Sequence, residues 1–331
     1  MTCRSTPAVI PPLVLDFLER ARQILILTHN NPDGDALGSA RALALTLAAS
    51  GRRADLALTG TWTQALSFLL ADLSVIDFPD DFSAYDLVTL LDCHSLGRLE
   101  KIGLQTFSAD SSLVVIDHHP LKEAEKTGAA WFLDPTASST GEMVWRLLSA
   151  MNLNRPLAAE EALLLAMASD TGFFSQNNTT TTTFKAAADL VERGVSLEAV
   201  HRHLRGNWPL KYFKLMGRTL DSLKLYCGNR LAVMTVTPDD LRAVGAVMAD
   251  TENLVEIGRG LAGVTLSVLV KDNGLGGIRV SLRSREPVNA ANLAALFGGG
   301  GHRQASAYND SQAATVEEAV DNLLARVDNF L

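Results

Sequence analysis

Residues 24–27, 87–91 and 113–116 form three short runs that are apolar almost without interruption, with helical periodicity between and around them. A strand with one wet face alternates polar and apolar residues. Continuous apolar runs of this length therefore indicate strands buried on both faces, as in a parallel sheet covered by helices. Helical patterns over residues 13–22, 36–49, 141–151 and 158–169 supply the covering layers, and a further short strand is expected over 53–58. Gly51 is placed to end the second of these helices. The threonine run 179–183 reads as a loop and N-cap ahead of a helix over 184–193. Residues 195–225 are polar and helical. Beyond them come strand-like stretches at 230–235 and 261–270, a strictly alternating one at 277–285, and helical patterns at 289–296 and 316–330. The expected fold is α/β: a parallel-sheet domain over 1–195, a helical connector over 196–225, and a smaller α/β domain over 226–331.

Each buried run gives way to polar residues of a specific kind. After the first comes His29, then Asp33, Gly34 and Asp35 at the start of a helix. After the second comes Asp92, and after the third Asp117, His118 and His119. Asp170 closes the apolar stretch 162–168. In open parallel sheets ligands bind beyond the carboxyl ends of the strands. Carboxylates mixed with imidazoles are the donors that a pair of divalent cations needs for phosphoryl hydrolysis. Taken singly, Asp33 and Asp35 also read as a turn and an N-cap, Asp92 as a loop acid, Asp117–His119 as a satisfied polar loop, and Asp170 as a turn acid. Their joint placement at the ends of apolar runs favours one two-metal site.

Composition narrows the partners. A net charge of −8 argues against wrapping long nucleic acid, whose binders carry a basic surplus. It leaves room for a short nucleotide gripped by a few arginines and by metal. Three cysteines at unrelated spacings suggest neither a disulfide framework nor a zinc site and fit a reducing cytosol. No apolar run reaches membrane-spanning length and no signal peptide opens the chain. A cytoplasmic location, without membrane association, is expected.

These motifs carry a family resemblance. The chain resembles the DHH phosphoesterase superfamily, named for the Asp-His-His found at Asp117, His118 and His119. The pattern His-x-x-Pro-Asp-x-Asp-x-x-Gly-Ser runs from His29 to Ser39 without departure, and Asp-Thr-Gly-x-Phe stands at Asp170 to Phe174. The glycine run ending in His302 is similar to that of the DHH-associated C-terminal domain. One departure lies after Asp92, where Cys93, His94 and Ser95 replace the usual Thr-Ala, with Arg98 retained downstream. The two-domain layout looks most like the nanoRNase group, whose members also act as phosphatases on 3′-phosphoadenosine 5′-phosphate. The resemblance implies one ion held by His29, Asp33 and Asp92, and another held by Asp35, Asp92, His118 and Asp170, with Asp92 bridging. Such ligation suits Mn2+, with Mg2+ or Co2+ as substitutes. It also implies that His119 contacts the phosphate or protonates the leaving oxygen, and that Asp117 orients a histidine.

The substrate end is expected downstream. Arg279, Ser281, Arg283 and Arg285 share one face of the alternating strand. Gly298, Gly299, Gly300 and Gly301 precede His302, and consecutive glycines let backbone N–H groups approach a phosphate closely. Taken alone this segment also reads as a solvated strand face and a flexible loop. With the metal motifs upstream, phosphate binding is favoured, and the active site is expected in a cleft between the two domains. The expected function is hydrolysis of short oligoribonucleotides to mononucleotides, with 3′-phosphoadenosine 5′-phosphate as a possible second substrate and a homodimer as a possible assembly. The alternatives are a linear or cyclic dinucleotide phosphodiesterase and a soluble pyrophosphatase or exopolyphosphatase.

Overall fold

The structure, a computed structural model, describes residues 7–62, 64–93, 112–119, 129–206, 208–251, 253–272, 274, 276–301 and 303–331. His94, Arg98 and His302, singled out above, lie outside the described residues. The chain divides into two compact units, Met1–Asn207 and Trp208–Leu331. Among the described residues no helix is long and apolar enough to cross a membrane.

In the first unit, α1 (Pro12–Arg20) leads into β1 (Gln23–Thr28), α2 (Gly34–Ala49), β2 (Arg53–Ala57), β3 (Ser74–Ile76), β4 (Leu87–Leu91), β5 (Ser112–Asp117) and β6 (Ala130–Leu133). Next come α3 (Thr140–Ala150), α4 (Leu157–Asp170), α5 (Thr181–Glu192) and the short α6 (Leu197–His201). The sheet runs β3-β2-β1-β4-β5-β6 and every pairing is parallel. Both faces are covered, as the continuous apolar runs require. Ile24 and Ile26 of β1 join the helical core on one face, while Leu25 and Leu27 pack with Phe82, Val88, Leu90 and Val115 on the other. β3 and β6 lie outside the expected strands: both are short, half-buried edge strands, β3 with only two apolar residues and β6 with the four apolar residues Ala130–Leu133. Gly51, at φ 80°, ends α2 as expected, with the Arg52 N–H donating to the Leu47 carbonyl.

Strand order reverses at β1, which lies between β2 and β4. This is the switch point beside which ligands bind in doubly wound sheets. Thr28 pairs in register with Leu91, so β1 and β4 end side by side and release their polar tails at one place. Helix α2 crosses above, nearly all of it buried, and packs on α4. Glycine permits this approach. A Cβ on Gly38 would stand 2.7 Å from the Ala162 carbonyl oxygen and 2.9 Å from the Ala166 Cβ.

The second unit holds α7 (Leu210–Asp221), β7 (Lys224–Tyr226), β8 (Leu231–Val236), α8 (Pro238–Val244), α9 (Leu254–Arg259), β9 (Leu266–Asp272) and β10 (Ile278–Ser284). It ends with α10 (Ala290–Ala295), β11 (Gly300–Gly301), β12 (Ala305–Asp310) and α11 (Val316–Val327). Its sheet is mixed, β11-β12-β10-β9-β8-β7, with β8 and β9 the parallel pair. The strand expected from residue 261 begins at Leu266, because residues 258–264 first form a turn in which Gly263 has φ 81°. On β10 the alternation holds: Ile278, Val280, Leu282 and Ser284 are buried and the odd positions are not.

Candidate metal centre

The acidic side chains at the switch point are placed by several elements, with Asp33 and Asp35 both at the start of α2. Beyond β1 the chain turns through Asn31, at φ 56°, to Asp33, which caps α2: its Oδ1 accepts the backbone N–H groups of Asp35 and Ala36. Asp33 thus caps the helix and also falls in a set of candidate donors with His29 and Asp92. Asp35 lies in the first turn of α2 and is fully buried. Its Oδ1 accepts from the Gly141 N–H at 2.9 Å and the Ser39 hydroxyl at 3.2 Å, and its Oδ2 from the Thr140 N–H at 2.7 Å. Asp92, immediately past β4, adopts the left-handed region at φ 58°, which non-glycine residues seldom enter, and its N–H donates to the Ile116 carbonyl. That turn aims its carboxylate between the histidines. Oδ2 lies 3.4 Å from His29 Nε2, while Oδ1 lies 3.6 Å from His118 Nε2 and 3.4 Å from His119 Nδ1. His118 Nε2 is also 3.3 Å from Asp170 Oδ2 and 3.8 Å from Asp35 Oδ2.

Three overlapping sets of donors result: His29, Asp33 and Asp92; Asp35, His118 and Asp170; and Asp92, His118 and His119. Within each, the donor atoms all lie within 4.8 Å of one another. Ligands around a cation with bonds near 2.1 Å stand about 3 to 3.5 Å apart, so these sets are of coordination size. Asp92 belongs to two of them that share no other residue.

The electrostatics point the same way. Burial, with the charges of Asp92, Asp170 and Asp33 added, holds the Asp35 carboxyl well above the usual carboxylate range. Burial likewise pushes Asp170 up to about 7, with His118 opposing and Asp33 and Asp92 adding to the rise. At Asp92 burial acts upward too, but the hydrogen bonds from His119 and His29 and the His118 charge outweigh it and hold that carboxyl well below its ordinary value. Burial acts downward on His119, yet Asp117 and Asp92 raise it to about 10. His29 is raised in the same manner by Asp92 and Asp33 against burial. Asp35 and Asp170, buried and crowded by other acids, favour their protonated forms unless a cation replaces the proton. The donor set fits divalent metal ions.

The other expected residues fall at several places. Asp117 is buried, and its Oδ1 accepts the His119 N–H at 3.0 Å and lies 2.7 Å from His119 Nδ1. Arg283, expected among the substrate-binding residues, pairs with Glu256 on α9 at 2.9 Å, a carboxylate that Arg259 also grips at 2.8 Å. Arg285 is exposed. Thr140 and Gly141, which bind the carboxylates of Asp35 or Asp92, are not among the residues that sequence reasoning singles out, whereas Ser39, which donates to Asp35, closes the first motif. The only sequence signal for the first two is the cap-like Ser138-Ser139-Thr140-Gly141-Glu142 at a helix start.

The glycine run divides by role. Gly298, at φ 75°, terminates α10. A Cβ on Gly299 would stand 2.3 Å from the Ala307 carbonyl oxygen and 2.4 Å from the Tyr308 Cβ, and Gly301 has φ 135°. Gly300 has open space and no such backbone demand. Gly299→Ala is therefore expected to destabilise the protein by about 2 kcal/mol, whereas Gly300→Ala changes stability by less than about 0.5 kcal/mol. Urea unfolding of both variants checks this, and equal losses would contradict the division.

Comparison with known proteins matches the two units. The DHH family N-terminal domain matches residues 23–169 and the DHHA1 domain matches residues 228–331. The chain is 30% identical over 283 residues to the bifunctional oligoribonuclease and PAP phosphatase NrnA of Thermus thermophilus, covering 84% of this chain and 81% of that protein. It is 29% identical over 288 residues to the Bacillus subtilis protein of the same name, covering 86% and 88% respectively. The crystal structure of an exopolyphosphatase-related protein from Bacteroides fragilis superposes with a TM-score of 0.85 at 24% identity, over 96% of this chain and 97% of that one. That likeness is one of fold.

Proposed function

The chain belongs to the DHH family, and on that premise we propose that it is a two-metal phosphodiesterase that hydrolyses short oligoribonucleotides to mononucleotides and removes the 3′-phosphate of 3′-phosphoadenosine 5′-phosphate. One observation carries the reading: side chains just past β1, β4 and β5, at the start of α2 and at the end of α4 converge at the strand-order switch point into three overlapping donor sets of cation size, two of which share Asp92 and two of which share His118. The names of the Thermus and Bacillus relatives support both substrates.

In this reading His29, Asp33 and Asp92 hold one cation, and Asp35, Asp92, His118 and Asp170 the other. The mixed carboxylate and imidazole set favours Mn2+ over Mg2+. When bound, such a pair supplies Lewis-acid polarisation of the phosphoryl group and a lowered pKa for water. The chain's own groups do the rest. Asp117 holds His119 through Nδ1, and His119 serves the phosphate or the leaving oxygen. Gly300 and Arg285 are assigned to the substrate phosphate: Gly300 has open space around it, and Arg285 is exposed. An acidic chain of net charge −8 that depends on a few local cations selects small substrates over long nucleic acid.

The test is hydrolysis by purified protein with Mn2+ of four substrates: an RNA dinucleotide, a long single-stranded RNA, 3′-phosphoadenosine 5′-phosphate and pyrophosphate. Rapid loss of the dinucleotide and of the adenosine substrate, with the long RNA spared, is expected. Turnover of pyrophosphate alone would overturn the proposed substrate class and leave the metal site standing.

A further inference from the structure

Helix α3 takes no part in the family's acid-and-histidine motifs, yet its first residue touches two of the carboxylates. The leading N–H groups of a helix have no partner within it. At α3, whose N-cap is Ser139, the N–H groups of Thr140 and Gly141 donate to the two oxygens of Asp35 at 2.7 and 2.9 Å. The Thr140 hydroxyl donates to Asp92 Oδ1 at 3.0 Å. A single fully buried residue thus ties a carboxylate of α2 to the one just past β4.

The consequence lies in the Asp92 side chain. Its two oxygens serve different donor sets, Oδ2 facing His29 and Oδ1 facing His118 and His119. Rotation of a carboxylate about its last bond is broad and weakly hindered, so the side chain alone does not fix which oxygen faces which way. We propose that Thr140 is a positioning residue, whose hydroxyl fixes the rotation of the Asp92 carboxylate so that one oxygen serves each of two cations. The inference rests on the two-cation reading of the site.

The helix end is itself held firmly, which is what a positioning residue requires. Glu142 Oε2 accepts the hydroxyls of Ser138 and Thr183, each at 2.8 Å, and Ser139 Oγ accepts the Glu142 N–H at 3.1 Å. The Asn178 side-chain amide donates to the carbonyls of Ser138 and Asp170 at 2.9 and 3.1 Å, joining the start of α3 to the end of α4. A Cβ on Gly141 would stand 3.3 Å from Asp35 Oδ1 and 2.5 Å from the Ala166 Cβ, so glycine keeps this approach open.

The test compares Thr140→Val, which keeps the shape and the N–H but removes the hydroxyl, with Thr140→Ser, which restores it. Thr140→Ala is a second hydroxyl-free variant should the valine protein fail to fold. Mn2+ binding is titrated by calorimetry and by electron paramagnetic resonance, and metal-free melting is recorded alongside. The wild type is expected to bind two ions. Without the hydroxyl, affinity for at least one ion falls about 10- to 100-fold, the range for residues that orient metal ligands. Over the same variants kcat on an RNA dinucleotide falls about 10- to 100-fold while KM stays within about twofold, metal-free melting is little changed, and serine recovers affinity and kcat. Wild-type affinity and stoichiometry in the hydroxyl-free variants would overturn the role of Thr140. A wild type that binds no Mn2+ would instead overturn the two-cation reading beneath it.

Discussion

Asp92→Asn is expected to reduce turnover by on the order of a thousandfold or more and to leave the protein unable to hold two Mn2+ ions together. Asparagine preserves the shape of the side chain. It is also among the few residues that accept the left-handed backbone at φ 58°, so the fold around the site survives the change. What disappears is the charge. The imidazoles of His119, His29 and His118 hold the Asp92 carboxyl well below its ordinary range, which marks it as the carboxylate that stays ionised at the middle of the cluster. Its two oxygens face two donor sets with no other member in common. An amide offers one oxygen and one NH2 group, so one of the two sets is left with N–H groups pointing at a cation. Asp92→Ala is expected to give the same loss of turnover. The check is kcat/KM together with Mn2+ stoichiometry, and near-native turnover with two bound ions would sink the two-metal reading.

Gly38→Val is expected to cost about 3 kcal/mol of stability. The residue sits in α2 where that helix crosses α4, and the added Cβ meets a backbone oxygen and a buried Cβ, neither of which can swing aside. Asp170 is the last residue of α4, so forcing the helices apart also moves a donor away from His118. Weaker Mn2+ binding should therefore accompany the lower melting temperature. Gly217→Ala is the contrasting control. Gly217 is exposed inside α7 with nothing within 4 Å of the added Cβ, so alanine there is expected to stabilise by about 0.5 to 1 kcal/mol. Equal behaviour at the two positions would mean that close approach of α2 and α4 is not what Gly38 provides.

The contrast between these glycines shows where sequence reading ends. Gly38 belongs to a recognisable motif, but its reason is a helix more than 120 residues downstream. The same holds in the second unit. The parity of Arg283 on β10 comes from strand alternation, whereas its pairing with Glu256 on α9 depends on how that helix packs on the sheet. At Gly299 and Gly301 the glycine run is open to two readings, a ligand cradle or a loop. Their close backbone approach to β12 supplies a further reason for glycine that does not depend on a ligand.

The central strands can be read directly because burial on both faces demands an unbroken apolar run, and that demand is local. The polar residue after each such run can be read as a candidate ligand for the same reason. Edge strand β3 carries no such demand and leaves no comparable mark, whereas β6 is apolar throughout at Ala130–Leu133 although only alternate residues of it are buried. By itself, then, the sequence determined the α/β class, the buried strands and the candidate donors His29, Asp33, Asp35, Asp92, His118 and Asp170. Only the tertiary structure decided that β1 lies against β4 and that the start of α3 reaches Asp35 and Asp92 across 105 and 48 residues of chain. The physical reason is that parallel strands pair through crossover connections, so their order is set by the packing of helices on the sheet and not by any residue's neighbours in sequence.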